Sequence, residues 1–172
     1  MEESGIRLPI AVIDTSFWSQ CCHLDVLQPL WSTFVRPILV PSMVFQEIFH
    51  RPGAHPAQAA MATARQSGEL SLECPIQDFA LFGAGERTVI SLAQERHATA
   101  LIDDYRPHQY LRHTLQWPVL SVSECIVLWL DTQRISWQEA RALANTLAAH
   151  GATSPHFLAW LDAAFRTRGG IP

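Results

Sequence analysis

Apolar residues occur along this chain in two alternating kinds of run, one short and continuous, the other longer with helical spacing. Short continuous runs are typical of strands in a parallel sheet, because both faces of such a sheet are covered. The longer runs repeat apolar residues every three or four positions, as the buried face of a helix requires. The pattern predicts strands at residues 9–14, 36–40, 70–72, 99–102 and 119–122.

Helices are predicted between the strands, because serines, prolines and glycines separate the apolar runs. Ser16, Ser42, Ser123 and Ser136 are expected to cap the helices that follow them, and Glu139 forms a capping box with Ser136. The predicted helices span residues 16–22, 24–34, 42–50, 56–67, 86–96, 107–115, 123–130, 136–150 and 155–168. Strands that alternate with helices indicate an α/β fold with a central parallel sheet.

No linker or repeat interrupts this alternation, so residues 1–172 are predicted to form a single domain. Its core is expected at about residues 9–124 and its C-terminal helices at about 136–168. The four cysteines have no metal-ligand spacing and are expected to be reduced thiols. No apolar run reaches the roughly 20 residues of a membrane helix, and the acidic start is unlike a secretory signal, so a cytoplasmic location is expected.

All twelve basic residues are arginines, and the lack of lysine excludes several classes of protein. A P-loop needs a lysine that reaches the phosphates, and Schiff-base chemistry needs a lysine amine. The formal net charge of −4 provides no general attraction for nucleic acid. Binding of nucleic acid would therefore depend on a local arginine patch, or on a metal ion that bridges phosphates and carboxylates.

Acidic residues occupy the positions where an open parallel sheet binds its ligands, beyond the carboxyl ends of the strands. Asp14 ends the first predicted strand and Asp103–Asp104 follow the fourth, while Glu47 lies in an apolar helix and Glu86 in the first turn of another. Each has an ordinary interpretation, such as a turn, a solvated helix face or a helix-dipole partner. Together, close carboxylates need a proton or a cation between them, and hard divalent cations prefer oxygen ligands.

Four motifs follow one another between residues 12 and 106, namely VIDTSFW, VPSMVFQEI, GAGERTVISLAQE and ALIDDYR, and the segment SVSECIVLWLDTQRIS with two predicted helices follows them. Their order and spacing resemble the PIN domain family, especially the subgroup with Gly-Glu before the central helix and Asp-Asp after the following strand. The resemblance implies a PIN-like three-layer α/β/α sandwich and metal-dependent cleavage of phosphodiester bonds, usually in RNA. The sequence departs from the subgroup at His108 and Leu111, where an arginine and small residues are usual, and its basic rim lacks lysine.

The resemblance also implies a role for each acidic position. The expected catalytic residues are Asp14, Glu47, Glu86 and Asp104. Asp14, Glu86 and Asp104 are the expected ligands of Mg²⁺ or Mn²⁺, with Glu47 as a ligand or just behind them. Asp103 is expected to share or replace the role of Asp104.

Three further residues are expected to bind substrate or to support its binding. Ser16 matches the family's small polar residue that orients the first aspartate. Arg87 and Arg106 lie beside acidic positions and are candidates for phosphate contact, although surface arginines are an equally good interpretation. Trp18 is expected to line the mouth of the cleft, whereas Trp129 and Trp160 are expected to pack in the core.

The leading hypothesis is a metal-dependent endoribonuclease that acts as the toxin of a type II toxin–antitoxin pair. Its expected partners are RNA, a small antitoxin protein and a second copy of the chain. A haloacid-dehalogenase-like phosphatase is disfavoured, because that family has a second aspartate where this chain has Ser16, and also a later lysine. The remaining alternative is a PIN-like scaffold that binds protein or RNA without cleaving it.

Overall fold

The computed structural model describes residues 8–53, 55–77 and 80–169, and it has the predicted parallel sheet. The strands are β1 (Ala11–Ile13), β2 (Ile38–Pro41), β3 (Leu70–Glu73), β4 (Thr99–Leu101) and β5 (Val119–Leu120). They lie in the order β3-β2-β1-β4-β5, and all neighbouring strands are parallel. The chain therefore builds outward from β1 in one direction and then resumes on its other side, so that a topological switch point lies between β1 and β4.

Within the described ranges, nine α-helices flank this sheet. They are α1 (Thr15–Leu24), α2 (Leu27–Thr33), α3 (Ser42–Phe49), α4 (Pro56–Gln66), α5 (Ala84–Arg96), α6 (Tyr105–Gln109), α7 (Val122–Asp131), α8 (Trp137–His150) and α9 (Pro155–Thr167). Helix α6 continues into a π-helical turn at Tyr110–Thr114. The architecture is the expected three-layer α/β/α sandwich. None of the helices in the described part of the chain is long and apolar enough to cross a membrane.

The helix caps predicted at Ser16 and Ser42 differ from those in the structure. Asp14, not Ser16, is the N-cap of α1, and its Oδ1 accepts a hydrogen bond from the backbone N of Phe17 at 2.7 Å. Ser42 is the first residue of α3 and provides no side-chain cap. The earlier start of α1 has a consequence for the site, because it fixes the Asp14 carboxylate at a helix N-terminus.

The cap of α7 also lies earlier than predicted, because β5 ends at Leu120. Ser121, not Ser123, forms the N-cap of α7. Its hydroxyl accepts a hydrogen bond from the backbone N of Glu124 at 3.3 Å, and the Glu124 carboxylate accepts one from the backbone N of Ser121 at 2.8 Å. The capping box predicted at the start of α8, between Ser136 and Glu139, is confirmed.

Two of the three tryptophans singled out in the sequence lie in the core. Trp18 and Trp129 are fully buried, and their indole N–H groups donate to the backbone O of Ala57 at 3.0 Å and to Oγ1 of Thr33 at 2.8 Å. The packing role of Trp129 is confirmed, but the prediction that Trp18 lines the cleft mouth is wrong. The packing prediction for Trp160 is also wrong, since this residue is 41% exposed on α9.

The carboxyl ends of β1 and β4 lie side by side at the switch point. Ile13 of β1 is paired with Leu101 of β4, and the backbone N of Asp14 donates to the carbonyl of Leu101 at 3.0 Å. The chain segments that follow these two strands therefore leave the sheet together, and Asp14 comes close to Asp103–Asp104. This edge is where open α/β sheets bind ligands.

Candidate active site

Asp14 is held in place by its own helix. It is 2% exposed, and besides the bond from Phe17 its carboxylate accepts hydrogen bonds from the Ser16 hydroxyl, at 2.8 Å to Oδ2 and 3.1 Å to Oδ1. The Ser16 side chain therefore orients Asp14, in the manner that the family resemblance implies. Both oxygens are fixed before any ligand arrives.

The two neighbouring aspartates after β4 have different environments. Asp103 is buried, and its carboxylate accepts hydrogen bonds from the backbone N of Val122 at 3.0 Å and from the Thr153 hydroxyl at 2.9 Å. Asp104 is exposed and lines the same pocket as Asp14. The structure thus brings Asp104 to the pocket, while Asp103 ties the start of α7 and the connection before α9 to the sheet.

The two glutamates approach the pocket from α3 and α5, and each lies against a glycine. Glu47 accepts a hydrogen bond from the Thr15 hydroxyl, and its carboxylate lies against Gly85, where an added Cβ would be 2.6 Å from Oε1. Glu86 lies over Gly83 in the same way, with its Oε2 at 2.5 Å from an added Cβ. The glycines of the GAGE motif therefore leave the space that the two carboxylates occupy.

Together these side chains line one pocket of about 180 Å³ at the switch point. Its lining comprises Asp14, Thr15, Ser16, Glu47, Arg51, Gly85, Glu86 and Asp104. All four acids expected to be catalytic are therefore neighbours, although they come from four separate parts of the sequence. The volume leaves room for a hydrated ion or a phosphate group, since one water accounts for about 30 Å³ of liquid.

Arg51 is a pocket residue that the sequence did not suggest, because it directly follows the predicted helix at residues 42–50 and no role was predicted for it. Its guanidinium donates to the Ser19 hydroxyl on α1 at 3.0 Å, and its carbonyl accepts from the Gln58 side chain at 3.1 Å. It is the only cationic side chain among the described residues that line the pocket. The two anchors hold this positive charge beside the four carboxylates.

The two arginines that were expected to contact phosphate do not line this pocket. Arg87 follows Glu86 on α5 and is half-buried. Adjacent helical residues point in different directions, so Arg87 does not share the pocket with Glu86. Arg106 is exposed on α6 and lines a neighbouring cleft that also includes Glu86 and Asp104. Arg51, which was not foreseen, thus lines the acidic pocket, whereas neither candidate does.

The electrostatics of the pocket disfavour its negative charges. Burial raises the pKa of Asp14 well above the ordinary value, and the charges of Asp104 and Asp103 raise it further, against the lowering effect of its hydrogen bonds. The pKa of Asp104 is also raised, first by burial and then by the charges of Glu86 and Glu47. A cation in the pocket would favour the ionised carboxylates.

The donor set fits a hard divalent cation, because the acids and the two hydroxyls provide only oxygen atoms. Among the described residues, no three His, Cys, Asp or Glu side chains are already arranged to hold a metal ion. Glu47 and Glu86 instead lie against their glycines. Metal binding would therefore require both side chains to turn towards Asp14 and Asp104, and their several rotatable bonds allow this movement.

A family model described as a PIN domain matches residues 10–153 of the chain. The chain belongs to the PIN domain family. The matched region contains all four acids of the pocket, together with the sheet that positions them. PIN domains are generally nucleases and typically use divalent metal ions. No curated protein shows a significant match to the chain.

In this PIN domain the two positions that depart from the subgroup lie in the core. Leu111 is fully buried, and His108 is 1% exposed. His108 Nε2 is 2.8 Å from the carboxylate of Glu124, which also accepts a hydrogen bond from Arg112. Neither departure lines the acidic pocket, and His108 instead links α6 to α7 through Glu124.

Proposed function

We propose that this PIN domain is a metal-dependent endoribonuclease that hydrolyses RNA at the pocket lined by Asp14, Glu47, Glu86 and Asp104. The observation that carries the proposal is the convergence of these four acids in one small pocket at the switch point of the sheet. A structural network of carboxylates would contain cationic side chains that balance their charges. Among the described residues that line the pocket, Arg51 at the rim is the only such side chain. The family's general nuclease activity agrees with this chemistry.

Each residue has a role that follows from its position. Asp14 and Asp104 would hold one or two Mg²⁺ or Mn²⁺ ions together with Glu86, while Glu47 would act as a further ligand or would orient the water that attacks. A bound ion would lower the pKa of its water and neutralise charge that develops on the phosphate. The Ser16 hydroxyl keeps Asp14 oriented.

Arg51 is proposed to contact a non-bridging oxygen of the scissile phosphate. A guanidinium binds phosphate by directed, charge-assisted hydrogen bonds, and the bond to Ser19 limits the side-chain freedom that binding would otherwise remove. This role would partly replace the lysine-rich rim that the sequence lacks.

The test is cleavage of a mixed RNA pool with Mg²⁺ or Mn²⁺ by the wild type and by Asp14→Asn. The asparagine oxygen can still accept the bond from Phe17, so the helix cap is kept while the charge is removed. The matched control is Asp162→Asn on α9, where the aspartate pairs with Arg166 at the surface. We expect cleavage by the wild type and the control only. Equal cleavage by Asp14→Asn would contradict the proposal.

A second candidate is a PIN-like scaffold that binds protein or RNA without cleaving it. The observation in its favour is that no described set of three acidic, His or Cys side chains is already arranged around an ion. A scaffold would bind RNA equally well with or without Mn²⁺, and Asp14→Asn would not change that binding. Metal-dependent cleavage that Asp14→Asn abolishes would exclude this candidate.

The biological setting is also a proposal, and it rests on resemblance. We infer that the protein is the toxin of a type II toxin–antitoxin pair in the cytoplasm, and that it forms a homodimer. All four cysteines are free, as they would be in a reducing compartment. The N-terminal tryptophans are buried and cannot form the dimer interface. Phe45 and Phe49 on α3 stack with ring centroids 4.4 Å apart, and Phe49 is 40% exposed, so that this pair is a candidate for the interface. Light scattering of the pure protein would test the homodimer, and its co-purification with the product of a neighbouring small reading frame would test the toxin–antitoxin pair.

A further inference from the structure

A second cleft adjoins the acidic pocket and shares two of its residues. It has a volume of about 460 Å³ and lies between residues 82–83, the start of α6 and the connection 151–155. Glu86 and Asp104 line both the pocket and this cleft. We call it the flanking cleft. A polymer whose phosphate lies at the acidic pocket would therefore continue into this space.

Phe82 places an aromatic ring at the edge of the flanking cleft without burying it. The residue is 37% exposed, and its ring touches Tyr110 edge-on at 5.4 Å between centroids. Its backbone has a φ of 70°, a left-handed conformation that bulky residues rarely adopt. Neither hydrophobic burial nor backbone preference explains a phenylalanine here, whereas an available ring face is what an unpaired base stacks on.

Arg106 provides the positive charge of the cleft. Eleven of the twelve arginines lie in the described ranges, and within these ranges Arg106 is the only one whose side chain has no ion pair, hydrogen bond or aromatic contact. Its guanidinium is exposed beside Asp104 and Tyr105. An unpaired arginine next to a site for phosphodiesters can bind the next phosphate along the chain.

The wall of the flanking cleft is fixed to the acidic centre by Asp103. Thr153, in the connection between α8 and α9, donates its hydroxyl to Asp103 at 2.9 Å. Tyr105 stacks on His156 of α9 with centroids 4.3 Å apart, which ties the start of α6 to the same wall. The buried aspartate next to Asp104 thus holds the cleft at a set distance from the pocket.

We propose that the flanking cleft binds the nucleotide next to the scissile bond of a single-stranded RNA, with its base on Phe82 and its phosphate on Arg106. This inference rests on the proposed function of the acidic pocket. A base can stack on a protein ring only when it has left its own stack, so an aromatic edge selects for single strands over duplexes. A double-stranded RNA would offer only its backbone to Arg106.

The test compares binding of a short fluorescent single-stranded RNA and of its duplex, in Ca²⁺, by fluorescence anisotropy. Phe82→Ala and Phe82→Asn remove the ring, and asparagine also tolerates the left-handed backbone, so the pair separates the ring from the backbone. Phe82→Trp keeps an aromatic face. Arg106→Ala removes the charge, and Arg166→Ala on α9 is the matched control because that arginine is exposed and paired with Asp162.

We expect both ring-removing variants to weaken single-strand binding about tenfold and Phe82→Trp to retain it. Arg106→Ala should weaken binding and reduce the slope of log K against log salt by about 0.7. Duplex binding should not change in the Phe82 variants, and thermal unfolding should not change in any variant. Wild-type affinity in Phe82→Asn and Arg106→Ala would overturn the proposal, as would an equal loss for single strand and duplex in the Phe82 variants. Metal-dependent cleavage by the wild type in the same preparations would show that the function of the acidic pocket stands even then.

Discussion

Two groups of acidic side chains near the end of the sheet have opposite electrostatic environments. Glu124 is buried, with 8% of its side chain exposed, and is surrounded by donors from His108, Arg112 and the N-terminus of α7. Although burial raises its pKa, these donors outweigh that effect and lower the pKa to about 2. Asp14 is buried as deeply, yet its pKa is raised, because the effect of burial outweighs its hydrogen bonds from Phe17 and Ser16, and the charges of Asp104 and Asp103 add to that effect.

The difference shows which carboxylate charges are paired within the protein and which are left to be paired by a cation from solution. Glu124 has cationic and N–H partners within the protein, so its charge stabilises the native state. The acidic pocket brings four carboxylates together with Arg51 as the only cationic side chain among the described lining residues. Such an arrangement costs stability unless a cation from solution binds it, which is the expected character of a functional site.

The largest expected effect is on stability, and it separates the two groups. Glu124→Ala leaves His108 and Arg112 without their shared acceptor, and we expect it to reduce the free energy of unfolding by about 3–5 kcal/mol. Asp14→Asn removes a charge that burial disfavours, and we expect metal-free stability within about 1 kcal/mol of the wild type, or above it. Urea unfolding in EDTA measures both. A large loss in Asp14→Asn would mean that Asp14 is mainly structural.

The pH dependence of the Glu124 network is the next effect. Because the pKa of Glu124 is lowered from 4.5 to about 2, its contribution is full above pH 4.5 and is lost as the pH falls towards 2. The loss corresponds to about 3 kcal/mol in the free energy of unfolding. We expect the stability advantage of the wild type over Glu124→Gln to decline across this range. An advantage independent of pH would show that the network does not depend on the charge of Glu124.

Asp103 should show the reverse pH dependence. Burial raises its pKa from 3.8 to about 6, so its contribution is full below pH 3.8 and is lost as the pH rises through 6. Compared with Asp103→Asn, the wild type should therefore lose stability between pH 4 and pH 7, when each is unfolded in urea without metal. The same direction of change for Asp103 and Glu124 would contradict the opposite pKa shifts of these two buried carboxylates.

A smaller effect is expected from Gly85, which leaves the space that the Glu47 carboxylate occupies. An added Cβ at Gly85 would lie 2.6 Å from Glu47 Oε1, and the flexible carboxylate can move away. We expect Gly85→Ala to reduce kcat about tenfold with no loss of stability, since alanine favours a helix. The check is a double-mutant cycle with Glu47→Gln. If Gly85→Ala still costs tenfold in that background, the two residues do not act together.

The smallest effect tests the anchor of Arg51. Ser19→Ala removes the hydroxyl that accepts from the Arg51 guanidinium at 3.0 Å, and it leaves the acids untouched. We expect KM for RNA to rise about threefold with kcat unchanged, because one hydrogen bond contributes about 0.5–1.5 kcal/mol. Arg51→Lys should raise KM more. A change in kcat alone would argue against a role in binding.

The acidic centre could be predicted because its residues follow simple local rules. Asp14 and Asp104 end buried apolar strands, and the parallel sheet then places them at one edge. The family resemblance added Glu47 and Glu86, which periodicity alone left as ordinary helical residues. The strands and helices were predictable for the same reason, because buried runs and helical spacing alternate.

The rest depends on contacts between distant parts of the chain. Arg51 reaches the pocket only because Ser19 and Gln58, on two other helices, hold it there. Asp103 and Asp104 are equivalent in the sequence, and Thr153, fifty residues later, gives them different roles. Ser16 has the expected hydrogen bond to Asp14, but the helix cap is Asp14 itself, because a carboxylate already occupies the position that a serine cap would take.

The central claim is that the acidic pocket binds a divalent cation that the fold itself does not supply. Titration of Mn²⁺ into the metal-free protein, followed by calorimetry, tests it most directly in the wild type, Asp14→Asn and Asp162→Asn. We predict binding by the wild type and Asp162→Asn, at least tenfold weaker binding by Asp14→Asn, and proton release on binding, because the pKa of Asp14 is raised. Equal Mn²⁺ binding by all three proteins, or none by the wild type, would contradict the account.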